Sequence, residues 1–206
     1  RNKTEKRELK PGETVVAGDV LNTASNSSVK LLMTDRTIVD LSGSTLFKID
    51  EYKLKNGDNR EIQLSMDYGK IRGSVNRPVG VAGKFILRTK TATMGVRGTE
   101  FLVTTDMTHA LPKDGPETGS PSTPGAPPAP NAPKGPNLSE VKTEITVISG
   151  KVAVSEHSKG PSKPIEITAG KQLTTLAQMS GDTVLRATAK AEPAKIVELN
   201  PIQIKA

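Results

Sequence analysis

The run Glu-Ile-Gln-Leu-Ser-Met-Asp at residues 61–67 alternates apolar and polar side chains without a break. In an extended chain successive side chains point to opposite faces. Ile62, Leu64 and Met66 therefore share one face, and Glu61, Gln63, Ser65 and Asp67 the other. The same period recurs elsewhere. SVKLLM sets Val29, Leu31 and Met33 on one side, TIVDL does so with Thr37, Val39 and Leu41, and KFILRTK opposes Phe85 and Leu87 to Lys84, Arg88 and Lys90. EITVISGKVAVS (144–155) and PIEITAGKQL (164–173) continue the pattern, and no window of eleven or more residues carries a helical period. Asp-Arg, Asn-Gly-Asp, Gly-Lys and Lys-Gly-Pro, all turn formers, stand between the runs. The pattern predicts an all-β fold. Its core is expected at Val39, Leu41, Ile62, Leu64, Phe85, Leu87, Phe101, Val103, Ile145, Val147, Val152, Ile165 and Ile167.

Apolar residues make up 34% of the 206 positions and aromatic residues 2%. A core of Val, Ile and Leu is therefore expected, thin for this length. Gly-Lys opens an extended stretch three times, at Gly69, Gly150 and Gly170, where glycine tolerates positive φ and close backbone approach. These corners suit a twisted stack of short strands, either solenoid-like or sandwich-like.

Residues 112–137 hold nine of the fifteen prolines and no Val, Ile, Leu, Met or aromatic residue. Such a segment cannot bury enough apolar area to offset its ordering entropy, so it reads as a long, disordered proline-rich loop. The expected organisation is an N-terminal extension over 1–9, one β domain over 10–188 interrupted at 112–137, and a C-terminal extension over 189–206.

The chain has no cysteine, which removes disulfides, thiol catalysis and Cys-ligated zinc. His109 and His157 have no acid or second histidine at ligand spacing, and no nucleophile elbow, P-loop or dinucleotide fingerprint occurs. Neither an enzyme nor a cofactor or metal site is expected. No uninterrupted apolar run reaches ten residues, so no membrane helix or signal-peptide core is expected in this chain. The formal charge is +7, and no acid falls between Asp67 and Glu100 while seven basic residues do. Lys70 and Arg72 share one strand face, as do Lys84, Arg88 and Lys90. These five are the candidates for an anionic partner, against the ordinary alternative of a solvated sheet face. With so few aromatics to stack on bases, nucleic acid is disfavoured.

Within TATMGVRGTEF (91–101), Gly95 and Gly98 bracket Val96 and Arg97, and Thr99, Glu100 and Phe101 lead into the next strand. A guanidinium at a corner can bind backbone carbonyls or a nearby carboxylate with its five donors. Arg97 is therefore expected to be buried and structural, with ligand gripping as the alternative.

PGETVVAGDVLNT, VKLLMTDRTIVDL and TATMGVRGTEFLV, followed by ITVISGKVAVS and IEITAGKQL, occur in an order that resembles the FecR domain family over about residues 10–177. The resemblance implies a non-catalytic β-rich domain of the bacterial envelope or periplasm, in some members solenoid-like. The best-known members pass a signal from an outer-membrane transporter to a cytoplasmic sigma factor. This chain departs from them, having no cytoplasmic anti-sigma segment, no membrane helix and only residues 178–206 after the domain. It looks closer to FecR-like envelope proteins outside that pathway, for which a lipid anchor upstream is one mode of attachment. The implied function is a sensor, scaffold or protein-interaction module with an envelope protein as partner. The alternative is a module binding cell-wall glycan or another anionic polymer.

Overall fold

The computed structural model describes residues 6–55, 58–109, 138–157, 163–180, 183–184 and 195–198. Fourteen strands and no helix occur among them. They run β1 (Val20–Asn22), β2 (Val29–Leu32), β3 (Ile38–Leu41), β4 (Leu46–Leu54), β5 (Arg60–Ser74), β6 (Lys84–Arg88) and β7 (Ala92–Val96). After these come β8 (Glu100–His109), β9 (Leu138–Ser149), β10 (Lys151–Glu156), β11 (Ile165–Thr168), β12 (Lys171–Ser180), β13 (Thr183–Val184) and β14 (Lys195–Glu198).

Two sheets share one strand. The first sheet runs β1-β4-β5-β6-β7-β10-β11, and the second β2-β3-β5-β8-β9-β12, with β13 and β14 on the far edge of β12. All pairings are antiparallel except β5 with β6. The first half of β5 pairs with β4 and β6, and the second half, from Gly69, with β3 and β8. Burial changes phase along it: Ile62, Leu64 and Met66 point inward before the crossing, Ile71 and Gly73 after it. The extra residue is Asp67, since Leu46 faces Tyr68 while Phe47 faces Met66. A one-residue bulge turns the strand over, so both halves keep their apolar side toward one core. That core is a single cluster drawn from both sheets. At the far end β11 lies against β12 and β9, so the layers nearly close. The arrangement is a strand-sharing pair of sheets, not a solenoid coil.

Gly69 makes the crossing geometrically possible. Its φ is +105°, and a Cβ there would stand 2.3 Å from Thr45 Oγ1 and 2.5 Å from Thr45 Cα. Thr45 Oγ1 in turn accepts the Lys70 N–H at 3.1 Å. Gly150 and Gly170, the other two Gly-Lys corners, also have positive φ. Of the expected core, twelve positions are buried, and Ile165 is half-buried against the cluster. The expected loop at 112–137 lies outside the described residues. Lys195–Glu198, expected in a C-terminal extension, add a strand to β12.

Two buried polar clusters pin the sheets together. Arg60, 3% exposed, sets Nε 2.9 Å from Asp35 Oδ2 and donates from its Nη atoms to the Arg77 and Pro78 carbonyls. Asp35 also accepts the Thr37 hydroxyl at 2.7 Å and the Tyr52 hydroxyl at 3.2 Å. The Asp35 N–H donates back to the Tyr52 oxygen. This joins the β2–β3 turn of the second sheet to β4 and β5 of the first. At the other end Thr91 and Thr175 join hydroxyls at 2.7 Å, and Thr143 reaches both Thr89 and Thr105. Burial raises the Tyr52 phenol above its ordinary value; bonds from the Thr34 hydroxyl and Asp35 N–H only partly offset this.

Three outcomes follow from this framework. Gly69→Ala should lose about 1–3 kcal/mol from backbone strain alone, plus the Thr45 clash; an unchanged urea midpoint would contradict the crossing. Arg60→Ala leaves Asp35 buried without its counterion and should cost about 3–5 kcal/mol in denaturant melts. Because the Tyr52 value is raised on folding, its contribution is full below pH 10 and is lost as pH rises through the higher folded value. Wild type should therefore lose more stability on alkaline titration than Tyr52→Phe, and equal losses would remove Tyr52 from the network.

Candidate functional site

β6 and β7 lie side by side in the middle of the first sheet, with Ile86 opposite Gly95 and Arg88 opposite Thr93. Alternation buries Phe85 and Leu87 from β6, and Ala92, Met94 and Val96 from β7. The intervening residues face outward: Lys84, Ile86 and Arg88 on one strand, Thr93 and Gly95 on the next. Continuing that register past β7 brings Arg97 beside Lys84.

Arg97 is therefore exposed, contrary to the expectation of a buried corner arginine. The reason is the two-residue period: Met94 and Val96 take the inward positions, which leaves the arginine on the outward side with Gly95. Among the described residues its guanidinium has no hydrogen-bond or ion-pair partner. The buried arginine among the described residues is Arg60. Its signal was present as a charged residue opening a strand, but Asp35 and Arg60 are distant in sequence and each reads locally as part of a turn.

The rest of the motif is structural. Gly98 has φ +84°, and a Cβ on it would approach Pro78 Cα to 3.2 Å. Thr99 is buried and donates its hydroxyl to the Lys151 carbonyl at 2.8 Å. Glu100 accepts the Arg72 Nε–H at 3.0 Å. The Phe101 ring lies over Gly73, where a Cβ would sit 2.3 Å from the ring. Gly95 has only the Ala153 carbonyl, at 3.8 Å, near its own missing Cβ, so the outer surface above it is open.

The five basic candidates are divided between the two sheets. Lys70 and Arg72 are exposed on the second half of β5, on the outer face of the second sheet; Lys84 and Arg88 are exposed on the first. Because the two inner faces meet in one core, these outer faces point away from each other. The phase change in β5 separates residues that are close in sequence. Lys90, half-buried on the turn between β6 and β7, offers its carbonyl to His157 Nδ1 at 3.3 Å. His157 Nε2 lies 2.7 Å from the Thr93 hydroxyl, which occupies the ring in a local bridge. Among the described residues no three His, Cys, Asp or Glu side chains gather in a way that could hold a metal.

Lys84 and Arg97 both line a shallow cavity of about 190 Å³, with Val79, Val81, Ile86 and Gly95. Val81 is 91% exposed. The wall is apolar, its floor opened by a glycine, and its two charges are positive. Acids border this face at Glu61, the register neighbour of Lys84, which takes the Lys55 ammonium at 2.8 Å, and at Asp50. Burial alone would raise the Asp50 carboxyl, but the Lys48 ammonium, the Ser65 hydroxyl and the field of Arg88 outweigh it and hold it ionised below its ordinary value. Lys48 already neutralises it, with Nζ 2.6 Å from Oδ1. The site has the means to bind an anion beside an apolar group, and it presents no nucleophile–base pair.

Comparison with known proteins agrees with the residue motifs. Residues 19–111 match the family model described as FecR protein, a span that takes in β1 to β8 and ends before β9. No curated protein matches the chain. Two crystal structures from Parabacteroides distasonis, each of a protein provisionally assigned as an anti-sigma factor, resemble it in fold at 16% identity, with TM-scores of 0.52 and 0.51. Each alignment covers 91% of this chain, and 62% and 63% of theirs, so the chain spans about three fifths of their length. No helix among the described residues is long and apolar enough to cross a membrane. Residues 19–111 of this chain, which include its Gly-Val-Arg-Gly-Thr-Glu-Phe motif, are thus similar to the FecR family.

Proposed function

We propose that this chain is a non-enzymatic interaction module of the bacterial envelope, acting as a sensor or scaffold that receives an acidic segment of a protein partner. The FecR match supports a signalling role, and the periplasmic setting follows from that family reading. One FecR-like unit over about 10–188, interrupted at 112–137, is the corresponding domain organisation.

The observation that carries the partner's chemistry is the contrast between cations. Arg72, Arg77, Lys30 and Lys151 each meet a carboxylate, at Glu100, Asp58, Asp40 and Glu166. Lys84 and Arg97, like Lys70 and Arg36, meet none among the described residues, but Lys84 and Arg97 stand together on the rim of an apolar cavity. An acidic side chain flanked by an aliphatic one satisfies both features. Glycan binding gains no comparable support, because Phe47, Phe85 and Phe101 are all in the core and the Tyr52 hydroxyl is committed to Asp35. Of the two half-buried aromatics among the described residues, Tyr52 is tied by its hydroxyl to Asp35, and Tyr68 stands by itself beside Lys70.

A fluorescein-labelled oligoglutamate peptide with interspersed valines is the direct probe. Its affinity should fall about tenfold in Lys84→Glu/Arg97→Glu and weaken with salt, as exposed charge pairs do. Lys70→Glu, on the opposite face, should bind like wild type, and both variants should keep the wild-type melting temperature. Equal binding by all three proteins, or a loss caused by Lys70→Glu alone, would refute this face as the docking site.

A further inference from the structure

The edge of the second sheet at β2 is open. β2 pairs with β3 on one side only, with Val29 facing Leu41 and Leu31 facing Val39. The Met33 N–H donates to the Thr37 carbonyl, which fixes the alternation of the hairpin. Val29 and Leu31 therefore exchange hydrogen bonds with β3, and Lys30 and Leu32 turn their N–H and C=O groups to the free edge. Among the described residues no backbone group reaches them.

Residues 12–17 run opposite this edge and leave a cavity of about 440 Å³ between the two. Leu31, Met33, Ile49 and Val15 supply an apolar lining, and Tyr52 stands at its side. Leu32 is 76% exposed on one bank and Val16 46% exposed on the other. The nearby charges are already matched, Lys30 with Asp40 at 3.4 Å and Glu13 with Arg7. The edge carries neither a proline nor a bulge to discourage pairing. A cavity of this size is that of a peptide or small-ligand pocket. With residues 12–17 standing across it, it admits a single strand and not the sheet edge of a second folded copy.

We propose that the free edge of β2 and the cavity beside residues 12–17 form a strand-addition site for an extended, uncharged segment of a partner protein with apolar side chains at alternate positions. The backbone groups of Lys30 and Leu32 supply the ladder, and the cavity receives one row of side chains. The proposal rests on the reading of the chain as a binding module, but it uses a surface that contains none of the basic residues around Lys84 and Arg97.

The test is to pan the full chain against a random dodecapeptide phage library at high salt, which suppresses binding to the basic face. The best-enriched peptide is then synthesised and titrated. The expected peptides carry apolar residues at every second position and slow hydrogen exchange at the Lys30 and Leu32 amides. Leu32→Pro removes only an outward N–H, a change an edge strand accommodates, and should weaken binding about tenfold without shifting the melting temperature. If that variant fails to fold, Val16→Asp decides, with the same expected loss. Lys84→Glu/Arg97→Glu should bind this peptide like wild type, so failure here is distinct from failure of the acidic-partner reading. Absence of enriched peptides, protection elsewhere, or binding indifferent to both Leu32→Pro and Val16→Asp would overturn the proposal.

Discussion

The molecule depends on the passage of β5 from one sheet to the other at Gly69. A strand of fixed two-residue period can face only one core side, yet β5 must serve two layers whose inner faces oppose each other. The bulge at Asp67 shifts the phase by one residue, and the left-handed glycine that follows lets the chain turn against Thr45. A side chain at position 69 would lie inside the van der Waals radii of Thr45. Each sheet then extends outward from β5 on both sides, so the positions of β3, β4, β6 and β8 are all set by that one corner.

The core that this crossing encloses is mostly aliphatic, with Phe47, Phe85 and Phe101 as its largest side chains, and apolar packing by itself tolerates alternative arrangements. The buried polar contacts supply what dispersion does not. Asp35 and Arg60 gain little net stability as a pair, since desolvation offsets most of their attraction. Their value lies in having a single satisfied arrangement, because any other packing of the β2–β3 turn strands a charge. The threonine hydroxyls at the opposite end do the same with neutral groups, linking Thr91 to Thr175 across the layers. Together they fix how the sheets sit on one another at both ends.

Much of this was legible from residue order. The alternation in 61–67, 37–41, 85–87 and 145–147 identified strands and their buried sides, and the Gly-Lys corners marked three of the positive-φ positions. Tyr-Gly-Lys at 68–70, however, reads as the end of a strand, whereas the chain continues through it as one fifteen-residue strand. The five basic candidates do not share one face for the same reason, since Arg72 and Lys84 fall on opposite sides of a crossing that no local pattern announces. Arg97 was misjudged because its glycine neighbours outweighed the simpler evidence of Met94 and Val96 alternating inward. Asp35 and Arg60 leave no joint signal in the sequence because only folding brings the two turns together. Local periodicity reports which way a side chain points within its own strand, and says little about which strands will share a face.

The hairpin register of β8 and β9 runs from Glu100 opposite Ser149 to His109 opposite Ser139, so the segment 110–137 leaves and returns at one paired end. What lies beyond it is not an appendix: β10 docks on β7 in the first sheet, and β9 on β8 in the second. Neither stretch of chain holds a complete layer by itself. In kinetic terms the fold is an association between two fragments carried on one polypeptide. The β8–β9 pairing is where that association closes, and each layer is complete only once the second fragment has docked on strands of both sheets.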